Sequence, residues 1–238
     1  MIETIKLGEI SIQVTRKDIK NVHLSVHPPD GRVTLAAPSA TRLDVARAYA
    51  ISKLGWIRNQ QEKLARQERE TPRQFIERES HYLWGRRYLM TVEYKEAKPV
   101  VKLDHKRMML TVRPGATREK RHEIMHEWHK SLLHKEVPTF IKKWENKLKV
   151  GVTGYFLQRM KTKWGSCNHR AGHIRLNTEL VKKPKDLLEY VIVHEMTHLL
   201  EPTHSDRFVA LLDEYYPSWR ESRAELNELP LAAEVWNE

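Results

Sequence analysis

Apolar and polar positions alternate along much of the first half of the chain. Ile10-Ser-Ile-Gln-Val14 and Val22-His-Leu-Ser-Val26 have a period of two, and Val33-Thr-Leu-Ala-Ala37 follows the turn-forming Pro28-Pro-Asp-Gly31. Residues 2–37 are therefore expected to form two or three antiparallel hairpin strands. The period then lengthens. After Pro38, with Ser39 or Thr41 as cap, Val45, Ala48, Tyr49, Leu54, Ile57 and Leu64 fit one amphipathic helix reaching about residue 69. Strand patterning returns in Tyr88–Tyr94, Val100–Leu103 and Met108–Val112, and a helix is expected from Thr117 to Leu148, with Pro138 as a kink. Ala37-Pro-Ser-Ala-Thr-Arg42 resembles Arg113-Pro-Gly-Ala-Thr-Arg118, and each joins a strand to a helix that carries a tryptophan. A repeated strand, proline turn and helix is the simplest reading of that match.

The last third has a different texture. Tyr155–Lys163 can extend as a strand, Trp164-Gly-Ser-Cys167 can turn, and His173–Asn177 can return as the second arm of a small hairpin. From Pro184 to Leu200 the residues are apolar nearly all round, the signature of a buried helix. Phe208, Leu211, Leu212 and Tyr215 mark a further helix ended by Pro217, and Trp219–Leu229 suggests a last one. The expected class is α+β: an N-terminal antiparallel strand-rich region with a long helix, then a helical core with a small hairpin. The expected division is an accessory region over 1–150 and a core over 151–238, packed as one unit.

Composition narrows the setting. With 238 residues, 40% of them hydrophobic, the chain can bury a core without covalent staples. Its single cysteine, Cys167, excludes an intrachain disulfide, and Met1-Ile-Glu-Thr-Ile-Lys lacks the pattern of a secretory signal. No aliphatic run approaches a membrane span, so a cytoplasmic setting without a membrane partner is expected. The net charge of +11 favours anionic partners, so nucleotide or nucleic acid binding through a basic surface is also considered.

One stretch carries chemistry. His194-Glu195-Met-Thr-His198 has the H-E-x-x-H spacing, and His204 follows six residues on. On a helix, His194 and His198 leave one face a turn apart and clamp a tetrahedral ion. Pro202 forces the chain to turn, which brings His204 round as a third ligand and leaves one corner open to water. Glu195 can then reach that water as general base. Glu214, on the next helix, is the alternative third ligand. A second match, His122-Glu123-Ile-Met-His126 with His129, lies among Lys120, Arg121, Lys130 and Lys135. Those cations disfavour a divalent ion, and the three histidines are expected on a solvated helix face. Cys167 is expected to be a packing or turn residue rather than a nucleophile.

Lys161-Thr-Lys-Trp164-Gly165-Ser166-Cys167, Ile174-Arg-Leu-Asn177, Tyr190-Val-Ile-Val-His194-Glu195-Met-Thr-His198 and His204-Ser-Asp-Arg-Phe208 closely resemble the YgjP-like metallopeptidase family, distant kin of SprT-like zinc proteases. The resemblance implies a zincin-like catalytic core holding Zn2+ through His194, His198 and His204, with Glu195 as the catalytic glutamate. The spacing also matches metzincins, but Glu201 stands where they have glycine, and no methionine follows Met196 to make their Met-turn. The implied activity is a metallopeptidase acting on peptide or protein. The alternatives are a nucleoside triphosphate pyrophosphatase of UTP type and a DNA-associated protease. Arg159, Lys161, Lys163, Trp164, Arg175 and Tyr215 are the candidate substrate-binding residues.

Overall fold

The computed structural model describes residues 2–27, 31–66, 73–160 and 163–228. It is a mixed α+β structure in two compact units, one within Met1–Glu70 and the other within Thr71–Leu229. Among the described residues there are six α-helices and three mixed sheets. No described helix is long and apolar enough to cross a membrane.

The first unit holds strands β1 (Ile2–Leu7), β2 (Ile10–Lys17), β3 (His23–His27) and β4 (Arg32–Pro38), then helices α1 (Leu43–Ser52) and α2 (Leu54–Arg66). Its sheet has the order β1-β2-β4-β3. The alternation works as expected, since Ile12, Val14, Val33, Leu35 and Ala37 all point into one core with Ala46, Ala50 and Ile57. The pairing differs from the expected hairpins. β4 inserts between β2 and β3 and runs parallel to β2. Period-two patterning identifies a strand and its buried face but is silent on its neighbour, which accounts for the difference. The expected single helix is broken at Lys53, and Arg42 rather than Ser39 or Thr41 is the cap residue.

The second unit begins with β5 (Ser80–Leu83), β6 (Arg86–Tyr94), β7 (Val100–Asp104) and β8 (Arg107–Val112), followed by α3 (Arg118–Leu148). Its sheet order, β5-β6-β8-β7, and its strand senses repeat those of the first unit. Thr117 caps α3 by accepting a hydrogen bond from the Lys120 amide. Then come β9 (Gly154–Gln158), β10 (Gly165–Asn168), β11 (His173–Asn177), a 3₁₀ turn (Thr178–Lys182), α4 (Lys185–Thr197), α5 (Asp206–Tyr215) and α6 (Trp219–Glu228). The hairpin also differs from expectation. In place of the turn expected at Trp164–Cys167, Gly165–Asn168 is a strand antiparallel to β11, whereas β9 runs parallel to β11 on its other side. Glycine, serine and asparagine have low strand propensity, and here the β11 backbone overrides it.

α4 is the hub of this unit and packs against α3, α5, α6, β10 and β11. Leu187, Leu188, Ile192, Val193 and Met196 are fully buried, as its continuous apolar sequence requires. Its start is pinned by the Trp84-Gly85 turn, whose amides donate to the carbonyls of Val181 and Lys182 at 2.8 and 3.1 Å. Gly85 has φ +76°, and a Cβ there would meet Pro184 Cγ at 2.8 Å, so both conformation and space require glycine.

Candidate active site

α4 ends at Thr197, with His198 at its C-cap, a turn earlier than Pro202 alone would impose. The amides of Leu199, Leu200 and Glu201 fold back onto the carbonyls of Met196 and Thr197. The chain then reverses through His204, and Ser205 caps α5 by accepting from the Phe208 amide. This reversal brings the imidazoles of His194, His198 and His204 together, with one ring nitrogen of each within 4.8 Å of the others.

The ring environment suits a cation. His198 Nδ1 donates to the Glu201 carbonyl at 3.1 Å, and because a carbonyl only accepts, Nε2 keeps its lone pair. His194 Nε2 and His204 Nε2 stand 3.1 Å apart, close to the spacing of two nitrogens that share one ion at about 2.0–2.1 Å. Phe208 forms an apolar floor, its ring centroid 4.6–5.0 Å from all three imidazoles. Burial, with the neighbouring His198, His204 and Arg223, lowers the His194 pKa to about 3, and burial also lowers that of His198. Both rings are thus neutral donors, placed at the C-terminal end of α4 where the helix dipole favours positive charge. His194 Nδ1 is buried without a hydrogen-bond partner among the described residues. Three imidazoles at this spacing can hold a divalent metal, and their chemistry fits zinc.

Glu195 is 5% exposed, and burial raises its pKa to about 8, partly offset by the charge of Lys163. Its carboxylate lies directly against the Gly165 backbone at the start of β10. Glu195 and His194 line a cleft of about 230 Å³ with Lys163, Trp164, Tyr190 and Arg223. Gly165, the first residue of β10, also lines it, and β10 is an edge strand of its sheet.

Of the other sequence candidates among the described residues, Lys163 and Trp164 line this cleft and the rest do not. Arg159 reaches Glu179 at 3.6 Å and His122 at 3.1 Å, away from the trio. Arg175 is exposed on β11, over the Phe156 ring. Tyr215 is half-buried against the core, Glu214 is exposed and outside the trio, and Lys161 lies outside the described residues. Burial, with the Glu195 charge beside it, raises the Cys167 thiol to about 11, which disfavours the thiolate that a nucleophile needs.

The second H-E-x-x-H stretch departs from expectation. His129 is buried, and its ring faces Lys182, Glu179, His81 and His126 in place of solvent. It belongs to an internal polar cluster in which Lys182 pairs with Glu179 at 2.6 Å. These histidines do not form a metal-ligand group, and the trio at His194 is the one such group among the described residues.

Sequence reasoning missed two contributors. Asn177, 1% exposed, donates to the carbonyls of Met160 and Lys163 at 2.9 and 2.8 Å and so fixes the segment that carries Lys163 and Trp164 to the cleft. Its place at the end of a strand before a helical turn was the available signal. Arg223 lies on α6, and no local spacing ties it to the trio.

Two solved structures are similar over part of the chain. The metallopeptidase zymogen abylysin of Pyrococcus abyssi is 18% identical with a TM-score of 0.36, covering 38% of this chain and 90% of that one. The metallopeptidase zymogen jannalysin of Methanocaldococcus jannaschii is 21% identical with a TM-score of 0.34, covering 38% and 87%. No curated protein matches. The family described as YgjP-like, metallopeptidase domain, matches residues 20–229, a span that takes in the three imidazoles, Glu195 and both walls of the cleft, and the chain belongs to that family.

Proposed function

We propose that this chain is a zinc-dependent metallopeptidase, with His194, His198 and His204 as ligands and Glu195 as general base. The observation that carries the reading is the convergence of three imidazoles within 4.8 Å beside a buried carboxylate on the same helix. Family membership supports it. Zinc held there supplies Lewis acidity, polarising a scissile carbonyl and making water a stronger acid.

The protein's own groups do the rest. The Glu201 carbonyl holds the His198 ring in the tautomer that keeps Nε2 free. As a carboxylate, Glu195 takes a proton from the attacking water and later delivers it to the leaving amine. The outer edge of β10 offers unpaired backbone groups to an extended peptide, which pairs as an added strand beside Glu195. Peptide is preferred to nucleotide on this ground, and because Arg159, one of the cations expected to hold phosphates, is committed to Glu179 and His122 instead.

The test is metal analysis paired with cleavage of a peptide panel, with and without chelator. Glu195→Gln is expected to keep one zinc per chain and lose cleavage by about 10³-fold or more, and loss of zinc with activity would remove Glu195 from the role of base. Pyrophosphate release from UTP without peptide cleavage would overturn the peptidase reading.

A further inference from the structure

The cleft beside Glu195 is positively charged on two sides. Lys163 enters from the segment before β10 and Arg223 from α6. Both are exposed, and neither makes a salt bridge to a carboxylate within 4.0 Å among the described residues. Arg220, one turn earlier on α6, is by contrast bonded to Asp213. The orientation of α6 is selective. It carries Glu221, Glu225 and Glu228, yet the residues it turns into the cleft are Arg223, Leu226 and Asn227, at positions i, i+3 and i+4. Glu195 is the one carboxylate among the described residues that line it. Both cations line the cleft together with His194 and Glu195, so each stands at the wall of the proposed reaction site.

Lys163 and Arg223 come from different elements, with apolar and aromatic surface in the same cleft, and the one described carboxylate that lines it is the proposed base Glu195, so the cleft carries a net positive charge that an anionic substrate group can meet. We infer that Lys163 and Arg223 form a specificity subsite for a substrate carboxylate placed next to the scissile bond. This rests on the peptidase reading above. Arg223 is the stronger of the two, because its planar guanidinium can take both carboxylate oxygens at once. The carboxylate has two possible sources, an acidic side chain or the free C-terminus of the peptide, and peptide design separates them.

The experiment uses the full-length zinc-loaded protein and internally quenched peptides that differ only in glutamate, glutamine or lysine at the positions flanking the cleaved bond, each made with a free and an amidated C-terminus. Wild type is expected to favour the glutamate peptide over the glutamine one by about tenfold in kcat/KM, the scale of a charge-assisted hydrogen bond, with the preference shrinking as salt is raised. If the C-terminus is the source, the preference follows the free carboxylate and amidation removes it. Arg223→Gln is expected to abolish most of the discrimination, Arg223→Lys to keep part of it, and Arg223→Glu to turn it towards the lysine peptide. Binding of the same peptides to zinc-loaded Glu195→Gln, read as Kd, should show the same order without turnover. Cleavage or binding that does not distinguish the peptides would overturn the subsite and leave the peptidase intact. Absence of cleavage and binding across the whole panel would overturn both.

Discussion

A Cβ built on Gly165 would stand 2.6 Å from Oε1 of Glu195 and under 3 Å from its Cγ and Cδ. β10 therefore meets the proposed base with bare backbone, and the glycine of the Trp164-Gly165-Ser166-Cys167 stretch is there for space, since its φ is not positive. Gly165→Ala has to push the glutamate aside in a site where it is 5% exposed. A displacement of this kind, about 1 Å, is expected to lower kcat/KM about 100-fold. Because the three atoms nearest that Cβ all belong to Glu195 and none to a histidine, zinc content should stay at wild-type level, and metal analysis beside peptide kinetics checks both halves.

The same burial gives Glu195 a measurable cost in the metal-free protein. Its folded pKa is raised from 4.5 to about 8, so its contribution to stability is fully present below pH 4.5, while the carboxyl is neutral in both states, and is lost as pH rises through 8. Glu195→Gln keeps the shape and removes the charge. In metal-free protein it should raise stability at pH 8 by on the order of a few kcal/mol and make little difference at pH 4.5. Thermal melts at the two pH values, with chelator present, measure the difference, and equal Tm at pH 8 would contradict it.

The legible part of this site is the local part. His194 and Glu195 lie in α4 and His198 is its C-cap, so spacing alone brings those three together, whereas the reversal that returns His204 begins in the turns at Leu199–Glu201, ahead of Pro202. The buried character of α4 was equally plain from its run of aliphatic residues. What sequence could not supply was partnership between distant segments. Gly165-Ser-Cys-Asn168 has turn-like composition and becomes a strand only because β11 pairs with it in register, Gly165 opposite Leu176. His129 sits among lysines in the sequence and looks solvated, yet Glu179 and Lys182, about fifty residues later, close over it. Arg223 reaches the cleft only through the packing of α6 on α4.

Asn177 is the clearest case of such a partnership. Its amide donates to two carbonyls, of Met160 and Lys163, while its Oδ1 accepts from the Glu179 amide at 3.1 Å. Asn177→Asp keeps the acceptor and removes both donors, turning two favourable contacts into carboxylate facing carbonyl. The loss is expected to be about 2–4 kcal/mol of unfolding free energy, since the charge-bearing group is buried. Denaturant titration checks it. Peptide KM should rise as well, because Lys163 and Trp164 are no longer held at the cleft wall.

The internal polar cluster predicts how the fold responds to acid. Burial, followed by the nearby charge of Lys182, lowers the His129 pKa from 6.5 to about 3. An unfolded chain therefore takes up this proton first as pH falls, so the stabilising contribution is present above pH 6.5 and is lost progressively from 6.5 towards 3. Glu179 acts in the same sense lower down: burial alone would raise its pKa, but Lys182 and Arg159 outweigh it and hold it at about 2 against 4.5. Its contribution goes as pH falls from 4.5 towards 2. His129→Leu removes the first window and leaves the second. Because His129 Nε2 has no hydrogen-bond partner among the described residues, the change at neutral pH should be within about 1 kcal/mol. At pH 4 the variant should be the more stable protein by on the order of 2–3 kcal/mol. Urea titrations at pH 7 and pH 4 give both differences, and a wild-type advantage that persists at pH 4 would mean that His129 titrates normally and is not sealed from water.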